Sequence, residues 1–300
     1  MRRKILALAL TGLAFAAQMA SGQTAAPSPD DQRSGVEPAA KRIAMPQLKS
    51  SIALIYDESS GQPLYEKSAD AVAPIASITK LMTAMVVLDA ELPMSERITI
   101  TRDDVDTLKG THSRMRTGMT LTRGELLRLA LMASENRAAS ALARTYPGGT
   151  AVAVARMNVK ARELGMMDTR FLDATGLNSG NVSTARDLVK MVQAAQGYAS
   201  IREATTLASR MVQPAGYRSL RYNNTNPLVK NDSWDIRLSK TGYISEAGRC
   251  LVMKANINQR PVIIVLLDSW GKNTRIGDAN RIRKWIENSP PRLRNAVRRG

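Results

Sequence analysis

The order in which strand-like and helix-like segments follow one another constrains the fold of this chain more than any other feature. Apolar runs bounded by turn residues predict β-strands in five places, at residues 51–57, 63–66, 236–240, 249–255 and 260–267. Apolar residues spaced three and four apart predict helices at residues 77–90, 126–133, 136–144, 151–164, 184–195 and 280–287. Because the helices separate two groups of strands, we predict an α/β (α+β) fold. Both ends of the chain would build one antiparallel sheet flanked by helices, with an all-helical subdomain inserted between them.

Composition sets the expected domain boundaries. Residues 23–45 are rich in Ala, Pro, Ser, Gln and Asp and are predicted to be a flexible leader, and residues 289–300 form a basic tail. We expect residues 46–288 to be the folded domain and residues 92–220, roughly, to be its helical subdomain. Within it, residues 103–170 are predicted to be mostly helical, and the last and most apolar strand is predicted to be central in the sheet.

The first 22 residues have the pattern of a secretory signal peptide. Arg2, Arg3 and Lys4 precede a short apolar run, and the small residues Ala20-Ser21-Gly22 offer a cleavage site. The apolar run is too short to span a bilayer comfortably. An uncleaved anchor is the alternative. We therefore expect a mature protein that is soluble or peripheral and lies outside the cytoplasm.

Charge and rare residues exclude several kinds of site. The chain has 43 Lys+Arg and 26 Asp+Glu, a formal charge of +17, which falls to +14 once Arg2, Arg3 and Lys4 leave with the signal. This charge indicates an anionic partner, and export argues against nucleic acid. A single cysteine, Cys250, excludes an internal disulfide and a cysteine metal cluster. A single histidine, His112, excludes zinc sites that need two and leaves a Ser-His-Asp triad only one possible base.

Ser77-Ile78-Thr79-Lys80 places a hydroxyl and an amine three residues apart at the start of a predicted helix. Side chains at this spacing share one helix face, so Lys80 could take the proton that makes Ser77 a nucleophile. Pro74 before the serine suits a helix approach. The same pattern at Ser269–Lys272 is interrupted by a glycine. The alternative is that Ser77 is only a helix N-cap.

Ser134-Glu135-Asn136 lies between two predicted helices and could direct a proton-relaying hydroxyl and a substrate-binding amide into one cleft. The alternative for Ser134 is a simple helix cap, and Glu135 is expected to point away. Ser179-Gly180-Asn181 repeats the spacing, but it lies in a loop rich in Gly and Asn.

Lys240-Thr241-Gly242 follows a predicted strand and is placed at the strand's end. Lys240 could hold a carboxylate or tune the Ser-Lys pair, and Thr241 could hydrogen-bond the same substrate. Gly242 would let another backbone approach. The backbone N–H groups of Tyr243 and Ser77 could together form an oxyanion hole. The alternative is an ordinary turn at a strand end.

Together, the three motifs match the S-x-x-K, S-x-N and K-T-G set of penicillin-binding proteins and serine β-lactamases. The chain resembles the low-molecular-mass penicillin-binding proteins, the serine D-alanyl-D-alanine peptidases, and within them the endopeptidase branch. The stretches that carry the resemblance are residues 74–85, 131–140 and 239–243, with support from 181–188 and 224–226, and the likeness covers about residues 47–288. The chain ends about a dozen residues after its last predicted helix, so we expect no amphipathic C-terminal anchor.

The resemblance implies a β-lactamase/transpeptidase-like fold and a penicillin-sensitive peptidoglycan DD-endopeptidase of the periplasm. It assigns three catalytic residues: Ser77 as nucleophile, Lys80 as base and Ser134 as proton relay. The substrate-binding residues it implies are Asn136, Lys240, Thr241, Gly242, Tyr243 and, ahead of the last helix, Arg275 as a carboxylate contact.

The expected partners are cross-linked peptides of peptidoglycan and, as covalent inhibitors, β-lactam antibiotics. No cofactor, metal or nucleic acid is expected, and membrane contact is at most peripheral. A D-alanyl-D-alanine carboxypeptidase is the alternative within the same chemistry, and a non-catalytic wall-binding protein is the alternative outside it. No E-x-x-L-N sequence supplies a deacylating glutamate, which argues against efficient β-lactamase action.

Overall fold

A computed structural model describes residues 45–289 of the chain, so the predicted signal peptide and nearly all of the leader and tail lie outside the described residues. The strands are β1 (Ile52–Asp57), β2 (Gln62–Lys67), β3 (Ala73–Pro74), β4 (Arg97–Thr99), β5 (Thr120–Thr122), β6 (Val182–Ser183), β7 (Ser209–Val212), β8 (Leu220–Asn223), β9 (Asp235–Ile244), β10 (Gly248–Ile257) and β11 (Arg260–Ser269). The helices are α1 (Lys80–Asp89), α2 (Arg123–Met132), α3 (Asn136–Arg144), α4 (Gly149–Glu163), α5 (Ala185–Ala195), α6 (Ala199–Thr206) and α7 (Thr274–Glu287).

The two ends of the described chain build one antiparallel sheet, as predicted. Its strand order is β2-β1-β11-β10-β9, so the N-terminal hairpin pairs directly with the last strand, and β11 is central. A tight turn joins β10 to β11, with Asn258 and Gln259 at φ of 52° and 61°. Two left-handed residues of this kind match the twist of the flanking strands.

Burial on both faces explains why residues 262–267 of β11 are all apolar. Ile263, Val265 and Leu267 pack with the helices of the middle of the chain, whereas the alternate residues pack against α7. Successive side chains of a strand point to opposite faces, so a strand covered on both sides has no solvent-facing positions. The sheet therefore lies between the helices of the middle of the chain on one face and α7 on the other.

The middle of the chain is helical, but short strand pairs interrupt its helices. α2 begins with a capping box in which Thr122 and Glu125 bond each other's backbone N–H groups. β4 pairs with β5, β7 with β8 and β3 with β6. The expectation that residues 103–170 are mostly helical fails for residues 105–119, which form a loop organised by side-chain hydrogen bonds.

β9 extends to Ile244, so the prediction that Lys240-Thr241-Gly242 lies at a strand end is wrong. The Thr-Gly pair resembles a turn in sequence, yet Gly242 pairs with Cys250 of β10 and the ladder continues to Ile244. The motif therefore lies inside an edge strand of the sheet. None of the described helices is both long enough and apolar enough to cross a membrane.

Candidate active site

Ser77 lies on a tight 3₁₀ turn, Ala76–Thr79, that runs directly into α1. Lys80 is the first residue of α1, and its Nζ is 2.9 Å from Ser77 Oγ. Ser77 is not a helix cap, because the cap positions of the turn and of α1 are Ile75 and Thr79. Ala76 has a φ of 47°, a strained value for a residue with a side chain.

Three residues, Gly176, Gly242 and Asn181, hold this strained turn in place. An added Cβ at Gly176 would lie 2.0 Å from Ala76 O, and one at Gly242 would lie 2.9 Å from Ile75 O. Two glycines therefore let a loop and β9 press against the turn from separate elements. Asn181 O accepts the Ile75 N–H at 3.0 Å, and its Nδ2 donates to Thr79 Oγ1 at 3.0 Å. Asn181, part of the repeated Ser-x-Asn spacing, thus supports the turn.

Ser134 links α2 to α3 with a φ of 59°, in the left-handed region. Glu135, rather than Ser134, occupies the cap position of α3, so the cap interpretation of Ser134 does not hold. The turn brings Ser134 Oγ within 2.8 Å of Lys240 Nζ, which donates to it. Two of the three sequence motifs thus meet at this contact.

Asn136 connects the second motif to the first. Its Oδ1 accepts a hydrogen bond from Lys80 Nζ at 2.7 Å, and its Nδ2 donates to Thr111 Oγ1 at 3.0 Å. The amide nitrogen carries two hydrogens, so one remains for a substrate carbonyl. Lys80 Nζ also donates to the backbone oxygen of Thr175 at 2.6 Å.

Lys80 is buried, with about 1 % of its surface exposed. Burial lowers the pKa of Lys80 to about 7, although the carboxylates of Asp173, Glu135 and Asp106 oppose that shift. A neutral amine 2.9 Å from a hydroxyl can accept its proton. The Lys80 amine is therefore in the protonation range of a general base near neutral pH.

Lys240 is equally buried but faces other cations. Burial lowers the pKa of Lys240 well below its usual value, and the charges of Lys80 and Arg275 lower it further. Besides Ser134, Lys240 Nζ donates to the backbone oxygen of Thr241 at 2.8 Å. The Thr241 hydroxyl donates to Thr225 Oγ1 at 2.6 Å.

Tyr243 and Arg275 are the two remaining residues that the resemblance assigns to substrate binding. Tyr243 is exposed, and the guanidinium of Arg249 stacks 4.5 Å from the centre of its ring. Arg275, near the start of α7, is buried, yet its Nε and Nη1 have no hydrogen-bond partner among the described residues. Burial lowers the pKa of Arg275, as does the nearby charge of Arg249. The two unpaired nitrogens suit an anionic group of a ligand.

Sequence reasoning missed the loop residues that contact Lys80 and Asn136. Thr175 follows Asp173, whose carboxylate accepts the N–H groups of Thr175, Gly176 and Asn178. The Asp-x-Thr-Gly sequence is a turn signal that could have located this loop. Thr111 has no comparable signal because it lies in a segment without periodicity.

The remaining residues weighed from sequence take no part in this cluster. His112 is exposed, and Cys250 is fully buried and unpaired, in agreement with the predictions. Burial raises the pKa of Cys250 to about 12, so its thiol stays protonated. Within residues 45–289, no group of three His, Cys, Asp or Glu side chains is arranged to hold a metal ion.

Comparisons with known proteins agree with this arrangement. The family model described as D-alanyl-D-alanine carboxypeptidase, peptidase S11, matches residues 39–271. A D-alanyl-D-alanine endopeptidase of Pseudomonas aeruginosa is 47% identical over 243 residues, which cover 80% of this chain and 78% of that protein.

Two solved structures share the fold. The Streptomyces K15 DD-transpeptidase superposes with a TM-score of 0.76 at 28% identity, covering 81% of this chain and 98% of that one. Penicillin-binding protein D2 of Listeria monocytogenes, in its cefotaxime-bound form, gives a TM-score of 0.70 at 29% identity, covering 80% and 97%. The fold and the family predicted from the three motifs are thereby confirmed. The chain belongs to the D-alanyl-D-alanine carboxypeptidase family of serine peptidases.

Proposed function

We propose that the protein is a serine D-alanyl-D-alanine endopeptidase that cleaves the peptide cross-links of peptidoglycan through an acyl-enzyme on Ser77. The observation that carries the proposal is the presence of two Ser-Lys pairs on elements that contact each other, the Ser77 turn and β9: Lys80 Nζ lies 2.9 Å from Ser77 Oγ, and Lys240 Nζ lies 2.8 Å from Ser134 Oγ. The P. aeruginosa relative's endopeptidase name favours a cross-link over a chain end as the substrate.

Acylation would use these groups in turn. Ser77 Oγ attacks the carbonyl carbon of the penultimate D-alanine, and its proton passes to the neutral Lys80 amine. The N–H groups of Ser77 and Tyr243 stabilise the oxyanion that forms. When the peptide bond breaks, the proton that Lys80 took passes through Ser134 to the leaving amine, which leaves Lys80 neutral again. Water then attacks the ester carbonyl and gives a proton to Lys80. The ester bond breaks, the new carboxylate leaves, and Lys80 returns the proton to Ser77 Oγ.

The position of β9 supports binding of an extended peptide. β9 is the last strand in the sheet order, so its outer edge can pair with an added strand. Lys240 and Thr241 would contact the peptide from this strand, with the free amide hydrogen of Asn136 on the opposite side. Gly242 keeps β9 close to the Ser77 turn, where an added Cβ would lie 3.1 Å from Ser77 N.

Arg275 favours a second candidate, a D-alanyl-D-alanine carboxypeptidase. Its two buried, unpaired nitrogens could bind the terminal carboxylate of a substrate, which a carboxypeptidase must recognise. The two activities share every chemical step and differ only in the group that leaves.

The test compares wild-type protein with Ser77→Ala in two assays, covalent labelling by a fluorescent penicillin and digestion of purified cross-linked muropeptides. Mass spectrometry of the products separates the candidates: endopeptidase action converts dimers to monomers, and carboxypeptidase action releases free D-alanine. We expect dimers to disappear with the wild type only. Labelling or cleavage by Ser77→Ala at the wild-type rate would contradict the proposal, and muropeptide binding without any acylation would favour a wall-binding protein.

The proposed location is the periplasm, with residues 1–22 as the signal peptide and residues 23–45 as the leader. We further propose residues 46–288 as the catalytic domain, with its helical subdomain at about 92–220, and residues 289–300 as a basic tail. A mature charge of +14 suits contact with an anionic cell wall. Cell fractionation tests the location, and N-terminal sequencing of the mature protein tests the cleavage after residue 22.

A further inference from the structure

The loop between Asp104 and Met115 approaches the site without belonging to any of the three motifs. Its conformation is set by Asp106, whose Oδ1 accepts the N–H groups of Leu108 and Lys109 at 2.8 and 3.0 Å. Asp106 Oδ2 accepts both the N–H and the hydroxyl of Thr111, at 2.8 and 2.7 Å. One carboxylate therefore fixes where the Thr111 side chain lies and where its proton points.

Asp106 stays ionised in this arrangement. Burial alone would raise the pKa of Asp106, but the hydrogen bonds from Thr111, Lys109 and Leu108 together hold that pKa below its usual value. An ionised carboxylate only accepts hydrogen bonds, so the Thr111 hydroxyl proton must point towards Asp106. Thr111 Oγ1 can then serve its other neighbour only as an acceptor.

That neighbour is Asn136, whose orientation is consequently determined. Its amide must offer the donor nitrogen to Thr111 Oγ1, at 3.0 Å. The amide oxygen therefore faces Lys80 Nζ, at 2.7 Å. The reversed amide would set its NH₂ group against the ammonium of Lys80, two donors with no acceptor between them.

We propose that Asp106 and Thr111 are positioning residues that act through Asn136: they hold its amide oxygen against Lys80 Nζ and so keep the amine beside Ser77. The inference rests on the proposed role of Lys80 as the base. It concerns residues that touch neither Ser77 nor the peptide-binding edge of β9.

The consequence is measurable in the protonation of Lys80. The charged groups that face Lys80 come from four elements: Asp106 from this loop, Glu135 from the α2–α3 connection, Asp173 from the loop after α4 and Lys240 from β9. Because the Asn136 oxygen stabilises the protonated amine, loss of its orientation lowers the pKa of Lys80. The acid limb of the acylation rate, which requires neutral Lys80, then moves to lower pH.

Thr111→Val is the main test, since valine keeps the shape of threonine and removes the hydroxyl. The second-order rate constant for acylation by a fluorescent penicillin is measured from about pH 5 to about pH 9, on both sides of the pKa of Lys80. We expect the acid limb to move down by about one pH unit and the plateau rate to fall roughly tenfold. Thr111→Ser keeps a hydroxyl, so its acid limb and its plateau rate should match those of the wild type. Thr120→Val is the matched control, because its hydroxyl bonds Thr99 in the β4–β5 pair instead.

Asp106→Asn is the second variant. Asparagine keeps the side-chain shape but can donate as well as accept, so the Thr111 proton no longer has to point towards it. The substitution also removes a charge that raises the pKa of Lys80, so the acid limb should move to lower pH for two reasons. Because the lost charge alone could move the limb in Asp106→Asn, the decisive result is that of Thr111→Val: a limb that coincides with the wild type, or moves to higher pH, would overturn the inference even if the rates fall. An equal shift in Thr120→Val would overturn it as well. Failure of the wild type itself to react with penicillin would instead refute the proposed function.

Discussion

Two sides of the site each contribute one buried lysine and one close-packed glycine. The helical wall is α1 with the loop at Gly176, and the sheet wall is β9. On the helical wall, Lys80 has three acceptors, and three carboxylates near it raise its pKa. On the sheet wall, Lys240 has a serine hydroxyl and the backbone oxygen of its neighbour, and the charges near it are cations. The two amines are equally buried, so their different surroundings must give them different tasks.

We propose on this basis that Lys80 transfers protons and that Lys240 contacts the substrate. The pKa of Lys80 lies at about 7, where the amine can both accept a proton and return it. Lys240 is held towards the neutral form, and an arriving carboxylate would favour its protonated form again. A lysine that charges when substrate binds suits recognition, and one that titrates near 7 suits catalysis.

Lys80→Met should have the largest effect on activity, and it tests the helical wall. Methionine fills a similar volume and removes the base, so acylation by penicillin should fall by roughly three to four orders of magnitude. Lys230→Met, at an exposed lysine, is the control and should react as the wild type does. If Lys80→Met acylates within tenfold of the wild type, another group takes the Ser77 proton.

The same substitution should change the pH dependence of stability. The pKa of Lys80 is about 7 in the folded protein and about 10.5 when the chain is unfolded. Between these values the unfolded state binds more protons, so the free energy of unfolding rises with pH across this window. Lys80→Met should flatten that rise, as chemical denaturation at pH 7 and pH 9 would show.

Lys240→Met tests the sheet wall and should have a smaller effect. Ser134 loses a hydrogen-bond partner and the substrate loses a cation, so cleavage of muropeptides should fall by about two orders of magnitude. The loss should appear largely in KM if Lys240 binds a carboxylate. A loss equal to that of Lys80→Met, and confined to kcat, would show that the two lysines share the proton transfer.

The sequence predicted the helices and strands that have a periodic apolar pattern better than it predicted where they end. α3 begins at Asn136 and ends at Arg144, as its spacing indicated, and the apolar strand β11 is central. The predicted end of β9 was wrong because the Thr-Gly pair resembles a turn in sequence, whereas pairing with β10 extends the strand to Ile244. Local propensity loses to tertiary pairing at such a position.

The site was predictable where a residue carries chemistry and unpredictable where it only holds another residue. The predicted residues form two hydrogen-bonded groups: Ser77, Lys80 and Asn136 bond with Thr111 and Thr175, and Lys240 bonds with Ser134. Neither threonine carries chemistry of its own: Thr111 acts through a side-chain contact and had no sequence signal, and Thr175 acts through its backbone oxygen in a loop that only its turn sequence indicates. Asn181 shows the converse: its motif-like spacing serves the support of the Ser77 turn.

The two close-packed glycines, one on each wall, can be compared by their effect on stability. Gly176 has a φ of 82°, and its added Cβ would meet the Ala76 carbonyl at 2.0 Å, whereas the nearest atom for Gly242 is at 2.9 Å. Gly176→Ala should therefore lower the free energy of unfolding by about 2 kcal/mol, and Gly242→Ala by about 1 kcal/mol. Urea denaturation measures both. Gly216→Ala, also at positive φ but with no atom within 4 Å, separates backbone strain from the steric contact.

Glu135→Gln should produce the smallest effect and should act on the helical wall alone. Glutamine keeps an acceptor for the Ser113 hydroxyl, which donates to Glu135 at 2.7 Å, but it removes a negative charge near Lys80. That charge raises the pKa of Lys80, so its loss should move the acid limb of acylation down by a few tenths of a pH unit. Glu163→Gln, in an exposed ion pair with Arg156, is the control. A limb that stays in place would mean that the Glu135 charge does not reach Lys80, and the contrast between the walls would then rest on burial and hydrogen bonds.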